Sequence, residues 1–255
     1  MDGPILQVAG LSKSFGAIQA LSNVDIEVRR GGIHGIIGPN GSGKTTLFNC
    51  ITGIIRPDSG TVILDGEPIT GVRPDRIARR GIRRTFQAGK LVPGLSVLEN
   101  VMSGINDSVA TEARDAALRL PFVVSRREKE IRERAEEALA MAGMREAAGR
   151  WASDLVWTER QLVQIARALV GEPRLLLLDE PASGMGAREI ERVERLIHDV
   201  RATGVTVVVV SHDVKMLMNL SDMVTVLNFG LKIAEGLPSR VQVDPRVLEA
   251  YLGAE

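Results

Sequence analysis

The clearest chemical pattern in the chain is GPNGSGKT at residues 38–45. It matches G-x-x-x-x-G-K-[ST], follows an apolar run at 33–37, and opens a helical pattern at about Thr45. Glycines let backbone N–H groups turn onto phosphate oxygens, and a helix N-terminus adds positive potential. Lys44 should contact the β- and γ-phosphates, and the Thr45 hydroxyl can ligate Mg²⁺. The spacing therefore predicts a site for a nucleoside triphosphate.

Two acidic residues follow a run of four leucines, and they supply the second half of such a site. Asp179 is predicted at the C-terminal end of a strand, which is the sheet edge where ligands bind, and its carboxylate can hold Mg²⁺. Glu180 is placed to orient and polarise an attacking water. His212 ends the run VTVVVVSH and is predicted at the same edge, as a sensor of the γ-phosphate. Taken alone, an acidic turn after a strand can equally be structural, and a lone histidine there is more often structural.

These residues require a sheet whose strands end together. The runs RLLLLDE and VTVVVVSHD are short and apolar, which is typical of strands buried on both faces of a mainly parallel sheet. A helix predicted at 187–202 lies between them, so the order is strand, helix, strand with a right-handed crossover. Residues 5–28 indicate two short strands around a turn at Ser14–Gly16, and GTVILDGEPI indicates a further strand with a DG turn.

The middle of the chain, residues 97–151, is helical and polar in pattern. SRREKEIRERAEEALAMAGM has charges on most faces and apolar residues at Ile131, Ala135, Leu139 and Met141, which predicts a solvated amphipathic helix. Because this block lies between two strand-rich parts, it resembles an inserted lobe.

Composition excludes several classes of protein. The 255 residues allow one large domain, and a formal net charge of zero gives no bulk electrostatic reason to bind nucleic acid. Cys50 is the only cysteine, which excludes an internal disulfide and fits a reducing cytoplasm. No stretch approaches about 18 uninterrupted apolar residues. If the protein works at a membrane, we therefore expect another chain to cross it.

With these motifs in place, nearly the whole chain resembles the ATP-binding subunits of ABC transporters. The resemblance identifies GPNGSGKTT as Walker A, LLLLDEP as Walker B, and Gln87 in RRTFQ as the Q-loop glutamine. It implies that Phe15 stacks on adenine. The ATP-binding residues it implies are Phe15, Gly38, Pro39, Asn40, Gly41, Ser42, Gly43, Lys44, Thr45 and Thr46. The Mg²⁺ ligands it implies are Thr45, Gln87 and Asp179. The residues it implies in hydrolysis are Glu180, His212 and Gln87.

The resemblance also implies a fold and its subdivision. The expected fold is α/β, a P-loop NTPase of the ABC ATPase type with a RecA-like core, an antiparallel β subdomain and an inserted helical subdomain. Residues 1–90 and 155–235 would form the catalytic core with the β subdomain, 91–154 the helical subdomain, and 236–255 a C-terminal tail.

Within the family, RRTFQ, SHDVKMLMNLSDMVTVLNFG and the ending DPRVLEAYLG look most like the LivG-type ATPase of branched-chain amino acid importers. This implies an ATPase on the cytoplasmic face of a membrane. Its partners would be two permease subunits, a second ATPase subunit (with a homodimer also open) and, indirectly, an extracytoplasmic solute-binding protein. A lipopolysaccharide-exporting ATPase shares the ending and remains an alternative, as does a nucleotide-binding regulatory subunit with weak hydrolysis.

One motif departs from the family pattern. IARAL at 165–169 aligns with the helix after the LSGGQ signature, so the signature position holds Leu155, Val156, Trp157, Thr158 and Glu159, which we call the variant signature. The Val156 side chain cannot donate a hydrogen bond, Thr158 adds bulk, and Glu159 brings negative charge toward a polyanion. The D-loop also departs: of Ser183, Gly184, Met185 and Gly186, the last stands where aspartate is usual.

Two interpretations of the variant signature stay open. Either it weakens the ATP site of the partner subunit, or Thr158 and backbone N–H groups take over its role. The pair Thr158 and Gln161 is typical of a capping box, which predicts a helix beginning at Glu159. Trp151 and Trp157 are expected to serve packing. If the variant signature weakens the partner's ATP site, a heterodimer would have one consensus ATP site and one impaired ATP site.

Overall fold

The computed structural model describes residues 3–85, 91–105 and 121–252, and in the last range it describes side chains from residue 126 to residue 251. The strands are β1 Pro4–Phe15, β2 Ile18–Arg29, β3 Ile33–Ile37, β4 Ser59–Leu64, β5 Glu67–Pro68, β6 Ile82–Arg84, β7 Leu175–Asp179, β8 Thr206–Val210, β9 Met223–Asn228 and β10 Leu231–Gly236. The helices are α1 Lys44–Ile51, α2 Pro74–Arg79, α3 Val97–Met102, α4 Pro121–Met141, α5 Trp157–Leu169, α6 Ala187–Ala202, α7 Val214–Leu220, α8 Pro238–Val241 and α9 Pro245–Leu252.

The larger sheet has six strands in the order β10-β9-β3-β8-β7-β6. β9, β3, β8, β7 and β6 run parallel, and β10 adds an antiparallel edge. Every residue of β3, β7 and β8 is buried, which explains why their sequences are continuously apolar rather than alternating. The prediction of a mainly parallel sheet is confirmed, and so are the bounds of β3 and of α6.

The smaller sheet is antiparallel, in the order β2-β1-β4-β5. β1 continues through Phe15, which pairs with Ile18, so the turn lies at Gly16 and Ala17 rather than at Ser14–Gly16. Asp65 and Gly66 both have positive φ, of 52° and 79°, which is the backbone of a two-residue hairpin turn. That turn joins β4 to β5, in the place where the sequence predicted a DG turn.

One apolar core is shared by the two sheets and α1. Its buried members include Ile5, Leu6, Val8, Leu11, Leu21, Val24, Ile26, Val28, Ile36, Leu47, Phe48, Cys50, Ile51, Val62, Leu64, Leu175, Leu177, Val208, Val210 and Leu227. Because α1 buries its apolar side in this core, its first turn is fixed relative to the end of β3.

The helical block contributes a second cluster. In α4, Ala135, Ala138 and Leu139 are buried and Ala142 follows on the same face, a spacing of three and four residues. Ile131 is half-buried, as the amphipathic pattern predicts, and Met141 is exposed. None of the helices in the described ranges has the length and apolarity that crossing a bilayer requires.

The described residues form two compact units. One is drawn from Met1–Gln87 and Arg174–Glu255 and holds both sheets, and the other is drawn from Ala88–Pro173 and holds α3, α4 and α5. α5 thus groups with the helices, whereas the sequence-based division assigned residues 155–235 to the core. The functional subdivision at 90, 154 and 235 remains a prediction.

Candidate functional site

The phosphate loop, Gly38–Thr45, connects the buried end of β3 to the first turn of α1. Gly43 precedes α1 with φ of 103° and no side-chain cap, so the first N–H groups of the helix have no intrahelical partner. A Cβ on Gly43 would lie 2.5 Å from the carbonyl oxygen of Ala20, so the loop can follow this path only with glycine there. The loop therefore presents backbone donors, as an anion site requires.

Lys44 is folded back into its own loop. Its Nζ donates to the carbonyl oxygens of Gly38 at 2.7 Å and Pro39 at 2.9 Å, and it lies 3.4 Å from Ser42 Oγ. Burial lowers the pKa of Lys44, and the carboxylates of Glu180 and Asp179 oppose that shift. The ammonium is thus held by neutral acceptors that an anionic phosphate could replace.

Asp179, at the end of β7, is buried in an ion pair. Its Oδ2 lies 2.7 Å from Nη2 of Arg84, and its backbone N–H donates to Thr85 Oγ1 at 3.2 Å. The other carboxylate oxygen, Oδ1, is buried and has no hydrogen-bond partner among the described residues. A buried carboxylate oxygen in this state is costly unless something else binds it.

Glu180 follows with a strained backbone. Its φ is 52°, in the left-handed region that costs a non-glycine residue about 1–2 kcal/mol. The backbone N–H donates to Val210 O at 2.9 Å, and the side-chain Oε2 lies 2.7 Å from Nδ1 of His212, which is itself largely exposed. Glu180 and His212 thus meet at the carboxyl ends of β7 and β8, as the sequence predicted.

These residues enclose a cavity of about 330 Å³. Its walls are Ile18, Gln19, Ala20, Asn40, Gly41, Ser42, Gly43, Lys44, Thr45, Thr46, Asp179, Glu180, Val210 and Phe229. It therefore gathers most of the predicted phosphate-binding residues with Asp179 and Glu180. Phe15 does not line it; that ring is half-exposed at the end of β1, with Nζ of Lys13 5.6 Å from its centroid. Adenine stacking on Phe15 remains a prediction.

Ile18 and Phe229 were missed by the sequence reasoning. Phe229 is 83% exposed in the turn between β9 and β10, with φ of 45°, and it offers an aromatic face at the cavity. Its neighbour Gly230 donates its N–H to Ser42 O at 3.1 Å, which ties this turn to the phosphate loop. The available sequence signal was an aromatic residue directly before a glycine. Only the fold places Phe229 at the cavity.

The donor set suits Mg²⁺. A hydroxyl from Thr45 and the unpartnered Oδ1 of Asp179 are hard oxygen ligands, which Mg²⁺ prefers together with phosphate oxygens. Within the described residues, no group of three or more His, Cys, Asp or Glu side chains could hold a metal ion alone. The third predicted ligand, Gln87, lies outside the described residues. Thr45 and Asp179 thus fit a metal ion that arrives with a nucleotide.

The D-loop residues form the turn between β7 and α6. Ser183 N–H donates to Glu180 O at 3.3 Å, Gly184 has φ of 75°, and Met185 N–H donates to Ala182 O at 3.2 Å. Gly186 stands at the N-cap of α6, where its N–H donates to Glu189 Oε2 at 2.9 Å. At the position where the family pattern has aspartate, the start of α6 is therefore capped by the Glu189 carboxylate.

In the second unit, the variant signature spans the start of α5. The helix begins at Trp157, not at Glu159, so the predicted start was wrong by two residues. The physical reason is that Glu159 turns back and accepts the N–H of Val156 at 3.1 Å, which makes Val156 the N-cap. Thr158 is therefore inside the helix and buried, where it does not act as the cap.

The charge of Glu159 is neutralised locally. Arg150 donates to both carboxylate oxygens, from Nη1 at 2.8 Å and from Nη2 at 3.1 Å, in a bidentate pair. Around this pair the surface is apolar: Val156 is 63%, Trp151 55% and Trp157 49% exposed. The expectation that the two tryptophans serve packing was therefore wrong for a large part of each ring.

Comparisons with known proteins agree with this geometry. The family model described as "ABC transporter" matches residues 21–183, and a "Branched-chain amino acid ATP-binding cassette transporter" model matches 232–255. The chain is 37% identical over 254 residues to LivG of Escherichia coli K12, a high-affinity branched-chain amino acid transport ATP-binding protein, covering 99% of each chain.

Solved structures show the same architecture. The ADP conformation of an ATP-binding cassette of an ABC transporter superposes with a TM-score of 0.84 at 31% identity, covering 98% of this chain and 99% of that one. A dimeric post-hydrolysis cassette bound to ADP and Pi gives a TM-score of 0.74 at 28% identity, covering 91% of this chain and 98% of that one.

Proposed function

Because the chain belongs to the ABC transporter ATP-binding family, we propose that it is the ATPase subunit of an importer for branched-chain amino acids or related small polar solutes. The predicted ABC ATPase fold of the P-loop class and the LivG-type resemblance are confirmed. One observation supports the catalytic part most: the phosphate loop, Asp179 and Glu180 line one cavity at the carboxyl ends of parallel strands.

The side chains suggest how hydrolysis proceeds. ATP would take over the Nζ of Lys44 from the carbonyls of Gly38 and Pro39, and the N–H groups of the loop would bind the phosphates. Glu180 would orient and polarise the attacking water, and His212 would hold the carboxylate in place through its Nδ1. Catalysis is then mostly positioning and electrostatic stabilisation.

Mg²⁺ is the implied cofactor. Thr45, Asp179 and Gln87 are the residues proposed to hold it, and the bound ion would neutralise charge on the phosphate oxygens. Asp179 fits this role because its Oδ1 is buried without a partner, while Oδ2 is paired with Arg84.

We infer that the subunit works as one half of a nucleotide sandwich beneath two permease subunits, on the cytoplasmic face of the membrane. The solved dimeric cassette with ADP and Pi supports pairing of this kind. The second ATPase subunit is a different chain in the preferred form, and a homodimer is the other form. Closure would act on the permeases through residues 87–100 and the helical subdomain, and the solute-binding protein would deliver the solute from outside.

The variant signature adds one refinement. Its buried Thr158 and neutralised Glu159 leave an apolar surface where the family presents glycines and a serine. This supports the interpretation in which the site it completes on the partner is impaired, while its own Walker motifs form a working site with a consensus partner. The same feature favours one alternative, a regulatory subunit that binds ATP and hydrolyses it weakly.

The test is leucine uptake by proteoliposomes that hold the full complex of permeases, both ATPase subunits and binding protein. We expect ATP-dependent uptake that stops with Glu180→Gln and persists with the surface control Glu235→Gln. ATP hydrolysis without leucine uptake would contradict the substrate assignment. Uptake unaffected by Glu180→Gln would favour the regulatory alternative, and lipid-stimulated hydrolysis without solute uptake would favour lipopolysaccharide export.

A further inference from the structure

Arg84 is the last residue of β6, and its side chain lies between two elements that carry proposed Mg²⁺ ligands. Nη2 donates to Asp179 Oδ2 at 2.7 Å, at the end of β7. Nη1 donates to Asn49 Oδ1 at 2.7 Å, on α1, and has a longer contact of 3.4 Å with Thr52 Oγ1. The guanidinium carbon is 5.3 Å from the centroid of the Phe48 ring. One guanidinium thus joins α1 to the end of β7.

Asn49 connects this contact to the phosphate loop. It lies four residues after Thr45 in α1, so the two side chains leave the helix on the same side, one turn apart. At about 1.5 Å per residue, the two positions are separated by roughly 6 Å along the helix axis. A contact that fixes Asn49 therefore also fixes the end of α1 that bears the Thr45 hydroxyl.

The end of β6 holds Asp179 at two points. Besides the ion pair with Arg84, the backbone N–H of Asp179 donates to Oγ1 of Thr85 at 3.2 Å. The N–H of Thr85 in turn donates to Leu177 O at 3.0 Å, which continues the pairing of β6 with β7. With its backbone and Oδ2 both held, Asp179 has Oδ1 left for a metal ion. Mg²⁺ demands a near-ideal octahedral arrangement, so its ligands must be placed accurately.

A buried ion pair is an expensive way to hold two elements together. The side chain of Arg84 is 5% exposed and that of Asp179 4%. Replacing such a pair by well-packed apolar side chains is often neutral or stabilising, because the cost of removing two charges from water is then absent. Stability alone therefore does not explain why an ion pair occupies this position, whereas a need for fixed ligand geometry does.

We propose that Arg84 is a positioning residue of the metal site, which bridges Asn49 and Asp179. In this way it holds the Thr45 hydroxyl and Oδ1 of Asp179 at the separation that nucleotide-bound Mg²⁺ requires. The inference rests on the proposed function, because it takes Thr45 and Asp179 as metal ligands. Arg84 itself does not contact the metal and acts through the two elements that it joins.

The test is nucleotide binding to the full-length Arg84→Lys chain, titrated with a fluorescent ATP analogue first in EDTA and then in Mg²⁺. Lysine keeps the positive charge beside Asp179, but one ammonium cannot reproduce the fork of a guanidinium that holds Asn49 and Asp179 together. We expect the affinity in EDTA to stay within about two-fold of wild type. The gain in affinity on adding Mg²⁺ should fall about 3- to 10-fold, the effect of one lost hydrogen bond.

Two further variants sharpen the test. Arg30→Lys is the matched control, because Arg30 is an arginine of the same unit that is paired with Asp65 and does not line the nucleotide cavity. It should keep both affinities at the wild-type level. Asn49→Ala removes the other end of the bridge without changing a charge, so it should reduce the Mg²⁺ gain in the same direction as Arg84→Lys. If Arg84→Lys does not fold, Asn49→Ala decides the question alone.

A wild-type Mg²⁺ gain in Arg84→Lys, or in Asn49→Ala where that variant decides, would overturn the inference. Equal losses of affinity in EDTA and in Mg²⁺ would also overturn it, because the side chain would then support the phosphate loop rather than the metal ligands. If Thr45→Ala keeps the full Mg²⁺ gain, or wild type shows none, the metal site of the proposed function fails. If Thr45→Ala loses the gain and Arg84→Lys keeps it, only the present inference fails.

Discussion

The two places where this chain is expected to meet nucleotide differ in how their polar groups are engaged. At the edge of the large sheet, Lys44 is held by neutral carbonyls, Oδ1 of Asp179 has no partner, and Glu180 is strained. At the start of α5, Glu159 is satisfied within the second unit by Arg150 and by the N–H of Val156.

The difference shows which surface is prepared for a ligand. A site that binds a charged ligand keeps groups that the ligand can engage at little cost, whereas a helix start that satisfies its own groups gains little from binding one. At its nucleotide site the first unit holds an unsatisfied carboxylate oxygen on Asp179 and a strained backbone at Glu180. The second unit carries ion pairs on its surface, such as Arg126–Glu130 and Arg132–Glu136, which are weak and easily screened.

The largest expected effect comes from Glu180→Gln. Because the amide cannot accept the proton of an attacking water, turnover should fall at least about 100-fold. ATP affinity should be preserved, since the loop is untouched. ATPase rate and nucleotide binding measured on the same preparation check this, with Glu235→Gln as the control. Normal turnover would remove the contrast between the two regions.

Lys44→Ala should weaken ATP binding about 10- to 100-fold, which corresponds to the loss of hydrogen bonds from a charged donor. Titration with a fluorescent ATP analogue measures it. The control is Lys232→Ala, which removes a surface ammonium paired with Glu235. Equal affinities for Lys44→Ala and wild type would mean that the ammonium stays with the carbonyls of its own loop.

His34 allows the two units to be compared by the pH dependence of their folding stability. Burial, followed by the charge of Lys232, lowers its pKa to about 4, and its Nε2 is 2.8 Å from Thr225 Oγ1. The unfolded state binds a proton near pH 6.5 and the folded state does not, so stability is full above that pH and falls as pH drops toward 4. We expect a loss of about 2 kcal/mol at about pH 5.

Hydrogen exchange at about pH 7 and about pH 5 would locate this loss, after correction for the intrinsic exchange rate. β3 and β9 should lose protection, and His34→Gln should show a smaller difference between the two conditions. α4 should respond less, because it belongs to the second unit. Uniform loss across both units would contradict the comparison.

The smallest effect is expected at the variant signature. In the Glu180→Gln background, V156S/W157G/T158G/E159Q restores the family pattern and should strengthen Mg-ATP-dependent self-association about 10-fold, because a hydroxyl donor is regained. Sedimentation with and without Mg-ATP measures it, and we expect the unmodified signature to stay monomeric. If the restored and the unmodified signature gave equally strong Mg-ATP-dependent dimers, the variant signature would be shown to bind the nucleotide of the partner subunit.

Much of the fold could be predicted from local pattern. β3 and α6 were predicted to the residue, because a buried strand is continuously apolar and an amphipathic helix repeats every three to four residues. The phosphate loop and the acidic pair were found for a related reason, since each motif is contiguous in sequence.

Other features depend on contacts between distant segments. The start of α5 was predicted two residues late because Glu159 accepts the N–H of Val156, which makes Val156 rather than Thr158 the N-cap. Phe229 comes to the nucleotide site only through the pairing of β9 with β10 and with β3. No periodicity in the sequence contains that information, because the partners are far apart along the chain.

The ion pair between Arg84 and Asp179 has a consequence for selectivity among ions. Both side chains are almost fully buried, so the carboxylate already has a counter-charge when no nucleotide is present. A divalent cation entering alone would place further positive charge beside the guanidinium, which lies 2.7 Å from Asp179 Oδ2. A cation that arrives on a polyphosphate brings compensating negative charge with it. We therefore expect the pair to favour binding of the metal–nucleotide complex over binding of the free metal.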